Sequence, residues 1–294
     1  MSDAVIYDRG YRSYQGELLG RSGARRAIVR DGIRRALGLR RKARRKVAPW
    51  TFLGIGAFMA AIQIGEHFAA QSVAEGFGRF LPSYPELFDS YSVIALMFMA
   101  IVMPELLGPD RREGVLSVYF SRPITVVDYL GAKAVAYLLT VSSIYLIPQL
   151  AFHLGQAALS ADGFLAYLGD NLDLLWKILA ATLAFSVAHG GVLAIISAHV
   201  DRTPFAATAF LAVITVGGGL AEAVSNASFP GARWFSLLAF DSHARYVRDW
   251  IFDKDLGQYA MEAAGFTAGQ AAWTVVGLAA IGSSWLLVRY RRLV

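Results

Sequence analysis

Residues 178–200 read ILAATLAFSVAHGGVLAIISAHV, a run of 23 residues that contains no Asp, Glu, Lys or Arg. About 20 apolar residues in a helix cross the hydrocarbon core of a bilayer, and a helix satisfies its own backbone hydrogen bonds there. The rest of the chain has the same character, since 56% of its 294 residues are hydrophobic and only 17% are charged. Soluble domains carry about 25% charged residues. The composition therefore predicts a membrane protein.

Five more such runs predict an all-α membrane protein with six transmembrane helices. The six predicted spans cover residues 47–65, 91–108, 134–155, 178–200, 204–221 and 268–288. The fourth and fifth are separated only by the segment around Asp201 and Arg202, which we interpret as a tight hairpin because Pro204 suits a first helical turn. Residues 1–46 then form a basic arm, and residues 47–294 form the transmembrane domain. Because the arm is polar and basic, we expect the first span to be a retained anchor.

Lysine and arginine are distributed unequally between the two sides of these spans. Fourteen of the 28 basic residues precede the first span, and eight more lie in loops and a tail that the alternation of spans assigns to the same side. The loops on the opposite side are acidic. Because short loops rich in Lys and Arg stay in the cytoplasm, we predict cytoplasmic N- and C-termini and a location in the plasma (inner) membrane.

The basic arm shows a helical pattern between residues 21 and 46. Val29, Ile33 and Leu37 recur every four residues, and arginines occupy most of the remaining surface. A narrow apolar stripe with many arginines is typical of a helix that lies on an anionic membrane surface. We therefore predict an interfacial amphipathic helix, and the alternative is a plain orientation signal. We expect membrane lipids rather than nucleic acid as its partner, because the lipid is the nearer acidic surface.

Residues 109–123, PDRREGVLSVYFSRP, form the most informative loop. Asp110 followed three residues later by Glu113 matches a capping box, and Pro123 ends the helix that would follow. A short apolar face over two turns is formed by Val115, Leu116, Tyr119 and Phe120. Such a face needs a covering groove, so we predict a short cytoplasmic helix that docks on a partner. The alternative is a loop helix that packs on its own bundle.

This stretch resembles the permease subunits of type-2 ABC exporters. The resemblance rests on the acidic-Arg-x-Glu-Gly pattern at 110–114, on SRPIT at 121–125 and on YLGAK at 129–133. It is close over residues 105–133 and looser over the whole chain. In that family this segment is a coupling helix that sits in a cleft of the ATPase subunit. The family also has an interfacial N-terminal helix, six spans and a large external loop before the last span.

The resemblance implies a set of residues that contact the ATPase. They are Asp110, Arg111, Arg112, Glu113, Gly114, Tyr119, Phe120, Arg122 and Pro123, together with Asp201 and Arg202 of the next cytoplasmic turn. The ATPase must be another chain, because this one has neither a G-x-x-x-x-G-K-[ST] phosphate loop nor any Gly-Lys pair. The implied assembly has two ATPase subunits, which bind ATP and Mg²⁺, and either a second permease copy or a paralogue.

The connector before the last span is long and rich in aromatic residues. Tyr246 and Trp250 lie four residues apart, and Asp241 or Ser242 can cap a helix before them. In the resembled family this region forms short external re-entrant helices that gate the exit, and the alternative is a solvent-exposed loop. Glu222, which follows three consecutive glycines, is a candidate to face a dimer axis. The implied external gate residues are therefore Glu222, Tyr246 and Trp250.

Two other classes of function compete with an exporter subunit. An intramembrane lipid-modifying enzyme needs paired polar catalytic groups at one depth, and no such pair, Ser/His/Asp arrangement or metal-ligand spacing is evident in the sequence. An ATP-independent channel or secondary carrier needs charged groups near mid-membrane, and only His189 lies there. A lone histidine in a span is more often a hydrogen-bonded packing residue than a proton relay. We therefore expect no catalytic residue, no metal and no cofactor bound by this chain, and outward transport of a hydrophobic or amphipathic substrate.

Overall fold

The computed structural model describes residues 19–39, 42–73, 83–121, 123–225, 227–254, 257 and 259–293, and every regular element in these ranges is helical. The elements in chain order are α1 (Gly20–Ala36), α2 (Arg44–Val73), α3 (Tyr84–Arg112), α4 (Leu116–Phe120), α5 (Val126–Leu159), α6 (Phe164–Asp170), α7 (Leu172–His199), α8 (Thr203–Val224), a 3₁₀ helix (Ala232–Leu238), α9 (Phe240–Phe252), α10 (Ala260–Ala263) and α11 (Ala268–Arg291).

Six helices in the described ranges are long and apolar enough to cross a membrane, as the sequence predicts for a multi-pass membrane protein. They are Lys46–Ala69 within α2 and the whole of α3, α5, α7, α8 and α11. Most of them extend beyond the predicted spans. The third span, predicted from residue 134, begins at Val126, because the Thr125 hydroxyl accepts the Asp128 backbone N–H as a helix cap. Hydropathy marks the part of a helix that suits lipid, whereas its backbone hydrogen bonds continue into the polar flanks.

Three of the six long helices form the centre of the bundle. The apolar windows of α3, α5 and α7 are 67%, 56% and 67% buried, whereas those of α2, α8 and α11 are only 22–28% buried. The outer three therefore expose wide apolar faces, which lipid or another chain must cover in a membrane.

Helices α7 and α11 approach each other closely at two glycines. A Cβ atom added to Gly282 would lie 2.3 Å from the carbonyl oxygen of Gly191, and one added to Gly191 would lie 2.5 Å from that of Leu278. Small residues at such crossings let helix backbones touch, which is the usual way in which membrane helices gain packing energy. This contact holds the last span against the centre of the bundle.

The connection between α3 and α5 differs from the prediction. Helix α3 continues through Asp110 to Arg112, Glu113 is its C-terminal cap residue, and α4 begins only at Leu116. The predicted capping box of Asp110 and Glu113 is therefore wrong. Gly114 provides the break, because its φ of +67° is a left-handed conformation that ends a helix at little cost for glycine.

Helix α1 is shorter than the predicted helix of residues 21–46, since it ends at Ala36 and α2 begins at Arg44. It packs against α5 and α3. Val29 and Ile33, from the predicted apolar stripe, contact the core, and Ile28 is buried. The stripe therefore packs on the protein's own helices, whereas the sequence was interpreted as placing it on the membrane surface.

The long connector before α11 folds onto the bundle. The 3₁₀ helix packs against α8, and α9 packs against α7, α8 and α11. The alternative of an extended, solvent-exposed loop is therefore wrong for the described part of this connector.

Candidate functional site

A buried ion cluster joins three helices at one end of the bundle. Asp110 of α3 has no exposed side-chain surface and accepts hydrogen bonds from Arg35 of α1 (Nη1, 2.5 Å) and from the Tyr129 hydroxyl of α5 (2.7 Å). The Lys133 ammonium lies 2.7 Å from Oδ2 of Asp110, the same oxygen that accepts from Tyr129. We call Arg35, Asp110, Tyr129 and Lys133 the Asp110 cluster. Because a buried charge is costly without partners, this cluster favours one arrangement of α1, α3 and α5.

A second set of ion pairs attaches α1 to the start of α5. The Nε atoms of Arg21 and Arg25 each lie 2.7 Å from an oxygen of Asp128. Asp128 also accepts the backbone N–H of Thr125 (2.9 Å), so one carboxylate both caps α5 and holds α1. Helix α1 is therefore fixed to the bundle along its length by these pairs and by Arg35.

The hairpin between α7 and α8 is held by Arg111 of α3. The Arg111 guanidinium donates to the carbonyl oxygens of Ala198 (2.7 Å) and Val200 (3.3 Å) and pairs with the Asp201 carboxylate (2.7 Å). Its side chain is only 7% exposed. It also lies over the ring of Tyr290 in α11 (5.7 Å). One arginine thus links α3, the α7–α8 hairpin and α11 at this end of the bundle.

The short helix α4 turns its aromatic residues towards the bundle. The rings of Tyr119 and Phe120 lie 5.4 Å and 5.9 Å from the ring of Tyr129. Their contribution to an external surface is therefore smaller than the sequence suggested. The outward face of this turn is formed by Arg112, Glu113, Gly114, Ser117, Val118 and Ser121.

The residues predicted to contact an ATPase divide into two groups. Asp110 and Arg111 lie inside the bundle, where they hold helices together. The exposed members are Arg112, Glu113, Gly114, Pro123, Asp201 and Arg202. Arg122 lies outside the described residues. A cavity of about 350 Å³ between α4, the α7–α8 hairpin and the end of α11 brings Ser117 and Asp201 to one cleft.

Another charged network lies at the opposite end of the bundle, around α9. Arg248 has no exposed side-chain surface, and its guanidinium pairs with Asp89 of α3 (2.7 Å) and with Asp249 (2.7 Å). Arg245 pairs with Asp241 (2.7 Å) and approaches Asp89 (3.4 Å). We call these five residues the α9 network. They hold α9 to α3.

His189 of α7 connects to this network. Its Nδ1 lies 2.8 Å from the carbonyl oxygen of Phe185, and its Nε2 lies 3.2 Å from Asp241. Burial disfavours the charged form of Asp241, but its contacts with His189 and with the Arg245 guanidinium outweigh burial and lower the pKa of Asp241 to about 2. Asp241 is therefore a carboxylate at neutral pH. The prediction that His189 is a hydrogen-bonded packing residue agrees with these contacts, but its acidic partner was not foreseen.

The predicted gate residues are divided between two cavities. Glu222 lines a polar cavity of about 580 Å³ together with Asp89, Asp241 and Arg245. Tyr246 and Trp250 line a separate cavity of about 320 Å³. The Tyr246 ring stacks on Tyr259 at 5.3 Å. Trp250 is 59% exposed, which suits a residue at a lipid headgroup.

Sequence reasoning missed most of the α9 network. One available signal was the spacing of Asp241, Arg245 and Asp249, which recur every four residues and therefore share one face of a helix. Nothing in the sequence pairs Arg248 with Asp89, since 159 positions separate them.

Comparison with protein-family models and with curated proteins identifies no relative of this chain. No protein-family model matches the chain, and no curated protein gives a significant match. Among the described residues, no group of three or more His, Asp or Glu side chains is arranged to hold a metal ion.

Proposed function

We propose that this chain is the membrane-spanning subunit of an ATP-driven exporter of the type-2 ABC kind. The observation that carries the proposal is α4 with its neighbouring cleft. A five-residue helix stands between two long spans, presents Ser117 and Val118 outward, and borders a cavity of about 350 Å³ beside the α7–α8 hairpin. Side chains of a partner protein can insert into this cavity beside α4.

The contacts behind α4 explain how a push on it would reach the spans. Tyr119 and Phe120 rest on Tyr129 of α5, and the Tyr129 hydroxyl is bonded to Asp110 of α3. A partner that displaces α4 would therefore move α3 and α5 together. The α7–α8 hairpin would move with α3, because Arg111 of α3 pairs with Asp201.

The proposed assembly contains two copies of this chain, or one copy and a paralogue, with two ATPase subunits on the cytoplasmic side of the plasma membrane. The wide apolar faces of α2, α8 and α11 support a second membrane-embedded copy. The packing of the 3₁₀ helix and α9 against the bundle supports a re-entrant outer element, with Glu222, Tyr246 and Trp250 at the exit. A hydrophobic or amphipathic substrate would move outward between the copies.

Co-expression with the candidate ATPase tests this proposal. Val118→Glu adds a charge to an outward side chain that is 59% exposed, so we expect it to reduce recovery of the ATPase with the purified chain and to leave folding intact. The matched control is Leu165→Glu on α6, where the side chain is 80% exposed. We expect the chain alone to show no ATP hydrolysis. Equal ATPase recovery with Val118→Glu, Leu165→Glu and the wild type would contradict the assigned docking face.

A secondary carrier is the second candidate, and one observation favours it. His189, inside a span, contacts Asp241. A series of ion pairs then runs from Asp241 through Arg245 and Asp89 to Arg248. Such a row of charges suits ion coupling. In proteoliposomes without an ATPase, a carrier of this kind would dissipate an imposed pH gradient and would lose that activity in His189→Asn. An exporter subunit would leave the gradient unchanged.

A further inference from the structure

An apolar groove with basic residues at its rim runs between α1 and α5. The cavity measures about 690 Å³, which is within the range of sites for small ligands. Its walls include Val29 and Ile33 of α1 and Val127 and Gly131 of α5, and Arg26 and Arg30 lie beside them. An apolar groove beside cations matches a molecule that has a hydrocarbon part and an anionic part.

The two arginines at this rim differ from their neighbours on α1. Arg21 and Arg25 are neutralised by Asp128. Arg26 and Arg30 are exposed, and neither has an ion pair or hydrogen-bond partner among the described residues. They are four positions apart, so their side chains share one face of the helix. Two guanidinium groups are therefore available for one phosphate, which arginine binds with two parallel hydrogen bonds.

The apolar space continues across the outer face of α5. A Cβ atom added to Gly131 would meet nothing within 4 Å. A second cavity of about 330 Å³, between α5, α7 and α11, shares Val127 and Gly131 with the first. Val127 is 56% exposed on the outer face of α5. A branched hydrocarbon can therefore lie on both sides of Gly131.

We propose that this surface binds one anionic phospholipid, with its phosphate between Arg26 and Arg30 and its two acyl chains on either side of Gly131. Charge complementarity favours an anionic over a zwitterionic lipid. Arg26 and Arg30 have no acidic partner among the described residues, and the one carboxylate that lines the groove, Asp128, is already paired with Arg21 and Arg25. The two apolar cavities distinguish the lipid from a free phosphate, which would leave them empty. The inference goes beyond the proposed function, since it requires neither an ATPase nor transport.

Native mass spectrometry of the purified full chain tests this site. The detergent-solubilised protein is titrated with phosphatidylglycerol or with phosphatidylcholine, and bound lipid is counted. We expect one tightly held phosphatidylglycerol and much weaker phosphatidylcholine. Arg26→Gln with Arg30→Gln should lower phosphatidylglycerol affinity by about 25-fold, at about fivefold for each arginine. Both side chains are exposed, so the double variant should keep its melting temperature.

Matched controls separate this site from general attraction of lipid to a basic protein. Arg291→Gln with Arg292→Gln removes two exposed charges from the end of α11 and should change the affinity less than twofold. Gly131→Leu fills the floor between the two cavities and should remove phosphatidylglycerol binding. Gly277→Leu, also in open space on a spanning helix, should leave it unchanged.

Several outcomes would overturn the proposal. One is equal loss of affinity in the two double arginine variants, and another is equal binding of the two lipids by the wild type. Unchanged binding in Gly131→Leu would show that the acyl chains lie elsewhere. Wild-type dimers that bind no phosphatidylglycerol, beside monomers that do bind it, would show that a second copy of the chain covers the groove. Loss of ATPase co-purification would not affect this result, so failures of the two proposals are distinguishable.

Discussion

Replacing Asp110 with Ala removes the counter-ion of Lys133, whose side chain is only 2% exposed. Arg35 keeps a partner in this variant, because its Nε also lies 2.7 Å from Asp31. Lys133 is therefore the group left buried without compensation. Breaking a buried pair in this way costs about 3–5 kcal/mol of unfolding free energy. We expect a loss of that size in Asp110→Ala.

A double variant separates the loss of the Asp110–Lys133 ion pair from the cost of leaving Lys133 buried without a counter-ion. Asp110→Leu with Lys133→Met replaces both charges with apolar side chains, and such replacements are often neutral. We expect its unfolding free energy to lie within about 1 kcal/mol of the wild type. The double variant would then be about 2–4 kcal/mol more stable than Asp110→Ala, although it carries one substitution more.

The measurement is reversible unfolding of the purified chain in mild detergent, titrated with a denaturing detergent and followed by tryptophan fluorescence. Asp31→Ala is the matched control, because it removes an Asp whose side chain is 46% exposed from the same Arg35. An exposed helical pair contributes only about 0.3–0.5 kcal/mol. Two results would contradict this role of the Asp110 cluster. One is an Asp110→Ala variant as stable as Asp31→Ala, and the other is a double variant as unstable as Asp110→Ala.

Two further predictions concern topology and packing. The chain has no native cysteine, so a single cysteine introduced at Asp162 or Asp253 should react with an impermeant reagent in intact cells. A cysteine at Ser117 should react only after lysis. Labelling of intact cells at Ser117 would reverse the predicted orientation. Gly282→Leu should force α11 away from Gly191 and lower the unfolding free energy by about 1–3 kcal/mol. Gly54→Leu, where the added side chain enters open space, should change the unfolding free energy little. Equal effects of the two variants would contradict the close crossing of α7 and α11.

The number of long helices was predictable because hydropathy depends only on local composition. The six runs chosen from the sequence correspond to the six long apolar helices. Their ends were less predictable, since caps such as Thr125 with Asp128 act outside the apolar run. The hairpin at Asp201 was recognisable because Pro204 is a strong local signal, and α8 begins at Thr203, one residue before it.

The side-chain environment of the short helix was not predictable in the same way. Asp110 and Glu113 have the spacing of a capping box, but Asp110 is bound by Arg35 and Lys133, and α3 therefore continues past it. The apolar face of Tyr119 and Phe120 matched either a partner groove or the protein's own bundle. Their contact with Tyr129 shows that the bundle takes a large part of that face.

Helix α3 joins the Asp110 cluster, next to the α4 turn, to the α9 network at the other end of the bundle. Its two carboxylates therefore couple the positions of α4 and α9. Asp89 and Asp110 lie 21 positions apart on α3, about 32 Å along a helix axis. Asp89 binds Arg248 of α9, while Asp110 binds α1 and α5 next to the α4 turn. A displacement of α4 that moves α3 must therefore either carry α9 with it or break a pair made by a fully buried arginine. Because breaking that pair is costly, movement of α9 with α3 is the favoured response.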